Sequence, residues 1–265
     1  MSDFLELADW RRRIAGLYAW VRDRAATDPE AAFQHWCATR EELFRTHPQS
    51  PLPIERRAAF QARSFPYDPA SRFEVMVELP SPPTTGQPSP PTPLPTAREG
   101  SDVTATTAST GSAGGSPASS YPRPSIIEET GQEPGTAQLS GAQEVSVPTS
   151  GGNAVLLRRV GTVEVPFPAG VRRLALFWMG GYGDGLFLSF RDGTNGTDTY
   201  GGGRYLLDAA KSADLGGDPT RGTLVLDFNF AYHPSCAWDP QWVCPLVAPE
   251  NRLDIPIHAG ERLSP

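Results

Sequence analysis

Short apolar segments separated by glycine-containing turns dominate the C-terminal part of the chain, from residue 153 onwards. Pro168-Ala169-Gly170 and Asp192-Gly193 are two of these turns. No segment between them has the apolar period of a helix, which disfavours parallel crossover units. The pattern therefore favours an antiparallel β-sandwich or a partly open barrel. We predict strands at 154–160, 162–165, 174–179, 186–190, 205–206, 224–228 and 255–258.

The N-terminal part has helical periodicity instead. Asp3 and Glu6 have the spacing of a capping box, and Asp28 before Pro29 indicates the start of a second helix. On the second helix, Arg40 lies in an apolar stripe, along which we expect its methylene groups to pack. Residues 72–79 alternate as a half-buried strand does. The apolar stripe of the first helix is Trp10, Ile14, Leu17 and Val21, and that of the second is Phe33, Trp36, Cys37, Arg40 and Phe44.

Both patterns are absent between residues 80 and 152. Repeated prolines, followed by Thr, Ala, Ser and Gly, leave too little apolar surface to offset the entropy lost on ordering. We predict a disordered insertion at 80–152, between a helical arm with the first strand (1–79) and an antiparallel β core (153–265). The predicted fold class is α+β, mainly β.

Charge restricts the classes of partner. Of the net charge of −7, the insertion supplies more than half, with two arginines against six acidic residues. The flanking parts are close to neutral, so they lack the basic field that binds nucleic acid. The start has neither the basic nor the apolar region of a secretory signal, and no apolar run has the length of a membrane span. We expect a cytoplasmic protein with reduced cysteines and no membrane association. The sequence does not predict its oligomeric state.

Three polar stretches follow predicted strands, at 190–206, at 226–238, and at 244–253 with 259–261. Their motifs include Asp227-Phe228-Asn229, Cys244-Pro245-Leu246 and Glu250-Asn251-Arg252-Leu253. With these motifs the sequence resembles the uncharacterised bacterial and archaeal domain-of-unknown-function family numbered 1684, over about 9–79 and 153–263. The resemblance implies no activity. Phe230 and His233 depart from it, since the family pattern has a basic residue and an asparagine there.

The polar stretches carry the candidate ligand-binding residues, and three interpretations stay open. The side chains could form a structural ion-pair network between strand ends, or a pocket in which Arg204 or Arg252 binds an anionic or sugar-like ligand. In a hydrolase, Asp227 and Glu250 would act as acid and base. A scaffold whose insertion recruits partners is a further alternative, and no catalytic residue is assigned. The candidates are Asp192, Tyr200, Arg204, Tyr205, Asp227, Asn229, Glu250, Asn251 and Arg252.

Cys236 and Cys244 form a candidate thiol pair. Seven residues separate them, which is too far for a thioredoxin-like motif, and the second cysteine pair usual for zinc is absent. His233 with one further residue could complete a metal site, but the resemblance implies asparagine at that position. We therefore predict a close pair of thiols or a disulfide, with no metal and no cofactor.

Overall fold

The computed structural model describes residues 3–80, 141–180 and 184–263. Three helices come first, α1 (Asp3–Arg24), α2 (Pro29–Thr46) and α3 (Ile54–Arg57). As predicted, Asp28 caps α2, where its side chain accepts a hydrogen bond from the Ala31 amide at 3.1 Å. The apolar stripes of α1 and α2 pack together around Trp36, which is fully buried. No helix in the described residues combines the length and apolarity needed to cross a membrane.

The β part is a curled antiparallel sheet that forms a half-barrel, which confirms the predicted mainly β class with N-terminal helices. Its strand order is β7-β6-β5-β4-β2-β9-β8, and β3 also pairs with β4. A separate small sheet joins β1 to β10. The strands are β1 (Arg63–Ser64), β2 (Arg72–Glu78), β3 (Gln143–Pro148), β4 (Ala154–Phe167), β5 (Gly170–Met179), β6 (Gly185–Phe190), β7 (Arg204–Asp208), β8 (Gly217–Asp218), β9 (Thr223–Asp227) and β10 (Glu261–Arg262).

The C-terminal bound of the predicted insertion is wrong. Residues 143–148, placed inside the insertion, form β3, and Val145 pairs there with Leu157 of β4. These residues form a strand because buried and exposed side chains alternate over a short segment. Val147 is fully buried, while its neighbours face outwards. Residues 81–140 of the predicted insertion lie outside the described residues. The described residues on both sides of it belong to one compact unit.

Three predicted strand segments also differ from the structure. Segments 154–160 and 162–165 are one strand, β4, with an irregularity at Gly161. A Cβ atom at Gly161 would lie 2.9 Å from the Glu78 carbonyl oxygen, so glycine lets β2 approach at this point. Segment 255–258 is not a strand. The Ile255 carbonyl accepts one backbone hydrogen bond, from Gly193, and the Ile257 carbonyl accepts from the Arg204 side chain instead of a neighbouring strand.

The sheet encloses one apolar core to which both sides of the insertion contribute. Val75 of β2 lies in the same buried cluster as Leu176, Leu188 and Leu226. The helices form a second cluster against the sheet, where Phe230 meets Trp36 edge-on at 5.5 Å between ring centroids. Phe230, which stands where the family pattern has a basic residue, therefore packs against the helices in this chain.

Candidate functional site

Arg204, a central member of the predicted pocket, is fully buried in an ion pair. Its Nη2 atom lies 2.5 Å from Oδ2 of Asp192, and the guanidinium also donates to the carbonyls of Ile257 and Ala259. The other oxygen of Asp192 accepts from the amide and hydroxyl of Thr194 at 2.7 and 2.5 Å. The pair therefore fastens the start of β7 to the C-terminal segment. Only Nε of Arg204 lacks a partner among the described residues, and it is buried.

Asp227 and Asn229 form a second buried network. The Asn229 amide group bonds the backbone of Asp68 at 2.8 and 2.9 Å and donates to Asp227 at 2.8 Å. Burial raises the pKa of Asp227, against hydrogen bonds from Asn229 and the nearby charge of Arg72. Asp227 and Asn229 thus join β9 to the segment before β2.

Three further candidates also have structural contacts. The Asn251 side chain bonds the backbone amide and carbonyl of Ala175 and the carbonyl of Ser189. The Tyr205 hydroxyl donates to the Pro245 carbonyl at 2.6 Å. Tyr200 is half-buried beside Cys236.

Glu250 and Arg252 are exposed, unlike the other members of the predicted pocket. Neither side chain has a hydrogen bond to the networks of Arg204 or Asp227 among the described residues. The structure therefore does not bring Arg204, Asp227, Asn229, Glu250 and Arg252 together in one pocket. The structure likewise does not bring Asp227 and Glu250 together as an acid and base, because one is buried and the other faces solvent.

The structure instead has a cleft of about 300 Å³ between the helices and the 232–244 loop. Aromatic and aliphatic side chains make up most of its walls. It is lined from α1 by Leu7, Trp10, Arg11, Ile14 and Tyr18, from α2 by Arg40 and Phe44, and elsewhere by Gln49, Pro51, Tyr205, Lys211, Ala213, Tyr232, His233, Pro234, Ser235, Trp242, Val243 and Cys244.

The charged groups of this cleft all have one sign. Arg40 lies deep in it, while Arg11 and Lys211 are exposed. None of the described residues that line it is Asp or Glu. Although the whole chain is acidic, the charged side chains that line the cleft are therefore all cations.

Arg40 is held by one ion pair and three aromatic rings. Its Nε atom donates to Glu261 at 2.7 Å, and its side chain is 7% exposed. The guanidinium carbon lies 5.0, 5.0 and 4.8 Å from the ring centroids of Trp36, Phe44 and Tyr232. Burial alone would lower the pKa of Arg40, but the Glu261 carboxylate more than compensates, and the pKa is raised. Arg40 is thus a fixed, permanent cation.

Tyr18 contributes a polar group to the same cleft. Its hydroxyl oxygen accepts from the Trp36 ring nitrogen at 3.2 Å. Burial raises the pKa of Tyr18 to about 12, so the hydroxyl keeps its proton. That proton has no acceptor among the described residues, so it is free for a ligand.

His233 positions the partner of Arg40. Its backbone amide donates to the second oxygen of Glu261 at 2.7 Å, and its Nε2 atom accepts from the Tyr200 amide at 3.2 Å. Burial lowers the pKa of His233 to about 4, although Glu261 opposes the shift. The imidazole is therefore neutral near pH 7, and its Nε2 is already occupied.

Cys236 and Cys244 are neighbours, and Cys244 lines the cleft. Both are free and buried in the same apolar cluster, and their side chains hydrogen-bond each other. The two cysteines of the predicted thiol pair therefore lie in one buried cluster, both as free thiols. No group of three or more potential metal ligands occurs in the part of the chain that the structure describes.

The sequence interpretation missed the cleft residues Tyr18, Arg40 and Tyr232. One signal was available, since Arg40 is a charged residue in the apolar stripe of α2. Its partner Glu261 is 221 residues away. Only the folded arrangement reveals that the guanidinium, rather than its methylenes alone, faces a cavity.

Comparisons with known proteins agree with the sequence motifs. A solution NMR structure of an uncharacterized protein from Haloarcula marismortui is similar, with a TM-score of 0.50 and 25% identity over 91% of this chain and 97% of that one. A search of curated proteins found no match. The model of the family described as "Protein of unknown function (DUF1684)" matches residues 133–262, a range that contains the C-terminal polar motifs and omits the N-terminal ones. Over those residues the chain matches the DUF1684 family, as its motifs predict.

Proposed function

We propose that the domain binds a small amphipathic organic anion, with the anionic group on Arg40 and the apolar body in the cleft. The observation that carries this proposal is the state of the Arg40 guanidinium. Only Nε is used, by Glu261, and the two Nη groups have no hydrogen-bond acceptor among the described residues. An arginine fork in this state is a preformed receptor for a carboxylate or a phosphate.

The surroundings of Arg40 support an anion further. The Tyr18 hydroxyl adds a neutral donor whose proton is unused. The rings around the guanidinium exclude water, and hydrogen bonds to a charged group are stronger in such a medium. Glu261 already balances the charge of Arg40, and Asp208 pairs with Lys211 at 2.9 Å. We therefore expect the exposed Arg11 to supply attraction at the entrance.

The walls indicate the rest of the ligand. Trp10, Ile14 and Phe44 offer apolar surface, which suits an aliphatic or aromatic body better than a sugar with its many hydroxyls. A volume of about 300 Å³ is at the lower end of ligand pockets, which run from roughly 300 to 1,000 Å³. The ligand is therefore a small molecule, such as a short-chain or aromatic carboxylate.

Thermal melts with matched ligand pairs test this proposal. Each aliphatic or aromatic carboxylate, and its phosphate ester analogue, is compared with the primary amide of the same body. A ligand at 100 times its Kd stabilises by about 2.7 kcal/mol, which raises the Tm of a domain of this size by roughly 5–10 °C. We expect such shifts with acids and none with amides.

Arg252→Met is the control variant for these melts. Arg252 is an exposed arginine that the predicted pocket contained and the observed cleft does not. We expect its ligand shifts to equal those of the wild type. Equal shifts for acids and amides, or loss of the acid shift in Arg252→Met, would count against binding at Arg40.

A further inference from the structure

The thiol pair is fixed in position by the turn between β3 and β4. Cys236 lies in a short 3₁₀ turn (Ser235–Ala237), and Cys244 lies beyond it in the same loop. The Cys244 amide donates to the Ser150 hydroxyl at 3.0 Å, and the Ser150 amide donates to the Cys244 carbonyl at 2.9 Å. This two-way attachment holds Cys244 against Cys236.

Hydroxyl groups surround the sulfur of Cys236. Its thiol hydrogen-bonds Cys244, Ser150 and Tyr200. Tyr200 keeps its proton, since burial and the neighbouring thiol raise its pKa to about 12. The Ser150 hydroxyl itself donates to the Trp242 carbonyl at 3.1 Å, so Tyr200 and Cys244 are the donors left for a negative charge on the sulfur of Cys236. Cys244 also lines the cleft, which gives small molecules a route to the pair.

We propose that Cys236 and Cys244 are a redox-active dithiol that reduces a hydroperoxide and closes to an intramolecular disulfide. This activity is separate from ligand binding at Arg40, because it uses other groups on another wall of the cleft. Neither thiol is needed to hold Arg40 or Glu261 in place.

The chemistry balances in two steps. The Cys236 thiolate attacks the terminal peroxide oxygen, the O–O bond breaks, and the departing alkoxide or hydroxide takes up a proton. The product is a sulfenic acid on Cys236. Cys244 then attacks that sulfur, so an S–S bond forms, the S–O bond breaks, and the hydroxyl leaves as water with the Cys244 proton. Two thiols and one hydroperoxide thus give one disulfide, one alcohol and one water, and an external dithiol returns the pair to its reduced form.

The environments of the cysteines assign their roles. Hydrogen bonding from Cys244, followed by Ser150 and Tyr200, lowers the pKa of Cys236 to about 6 against the effect of burial. The same contact raises the pKa of Cys244, which keeps its proton until the second step. Burial raises the pKa of Cys37 to about 11, so this third thiol is a built-in control.

The test is oxidation of the full chain by one equivalent of hydrogen peroxide, followed by intact mass and peptide mapping. We expect the wild type and Cys37→Ser to lose two hydrogen atoms and to contain a Cys236–Cys244 disulfide. Cys244→Ser should stop at a sulfenic acid on Cys236 that a cyclic diketone reagent labels. Cys236→Ser and Cys236→Ala should consume peroxide at least about tenfold more slowly, since an ordinary thiol is only a few per cent thiolate at pH 7.

Three results would overturn the proposal. One is a wild type that keeps all three thiols under these conditions. A second is oxidation that maps to Cys37, or that joins two chains. The third is equal peroxide consumption by the wild type and both folded Cys236 variants, with folding checked by a cooperative melt.

Discussion

Arg204→Ala tests whether the polar motifs are structural. The wild-type guanidinium is fully buried and bonds one carboxylate and two carbonyl oxygens. After truncation the Asp192 charge keeps only its Thr194 donors, and the carbonyls of Ile257 and Ala259 lose their side-chain donor. An open ligand site would give a different outcome, because a truncated surface arginine leaves nothing buried.

The magnitude follows from these contacts. Removal of one member of a buried ion pair costs about 3–5 kcal/mol, and each carbonyl left without its donor adds on the order of 1 kcal/mol. Because neighbouring effects are not additive, we expect a loss of at least about 4 kcal/mol. Domains of this kind have about 5–15 kcal/mol in total, so Arg204→Ala should lose between about a quarter and four fifths of the stability.

Urea unfolding followed by circular dichroism measures this loss. Arg252→Ala is the matched control, and we expect it within about 0.5 kcal/mol of the wild type, since that side chain is exposed. Arg204→Met combined with Asp192→Asn should recover much of the loss, because no unpaired charge is left. A loss below about 1 kcal/mol in Arg204→Ala would refute the buried network.

Three further predictions concern stability. His233 is neutral in the folded chain, with a pKa of about 4 against about 6.5 unfolded, so its contribution is complete above pH 6.5 and is lost as the pH falls towards 4. Unfolding titrations should show up to about 3 kcal/mol less pH dependence in that window for His233→Asn. Gly260→Ala should lose more than about 2 kcal/mol in urea unfolding, since Gly260 has φ +79° and a Cβ there would lie 2.5 Å from the Ala231 carbonyl oxygen. Asn251→Ala should lose about 2–4 kcal/mol in the same assay, because its amide bonds both backbone groups of Ala175. For each of the three variants, a change below about 0.5 kcal/mol would contradict the contacts described for that residue.

Local patterns were enough to predict much of the fold. The cap at Asp28 and the alternation in 72–79 both depend on residues near in sequence. The antiparallel arrangement followed from the absence of helical segments between strands. By contrast, β3 was missed because its short alternation of valines ends a long segment without apolar pattern.

The site could be predicted only in part. Sequence motifs identified polar residues that lie at the ends of strands. In the structure, Arg204 bonds Asp192, and Asn229 bonds Asp227, in buried networks between strand ends. They form two networks rather than one pocket, because which strand ends meet depends on the curl of the sheet. The cleft depends on the packing of α1 and α2 against the 232–244 loop, which no local pattern encodes.

Calorimetric titration of the carboxylate that gives the largest Tm shift tests whether the anionic group binds to Arg40. The protein pair is the wild type and Arg40→Met combined with Glu261→Gln, which removes the guanidinium without leaving Glu261 as an unpaired buried charge. Hydrogen bonds to a charged group contribute about 1.5–3 kcal/mol each, so loss of the two Nη bonds should weaken binding by at least about 100-fold. A Kd within about threefold of the wild-type value in a cooperatively folded double variant would contradict binding at Arg40.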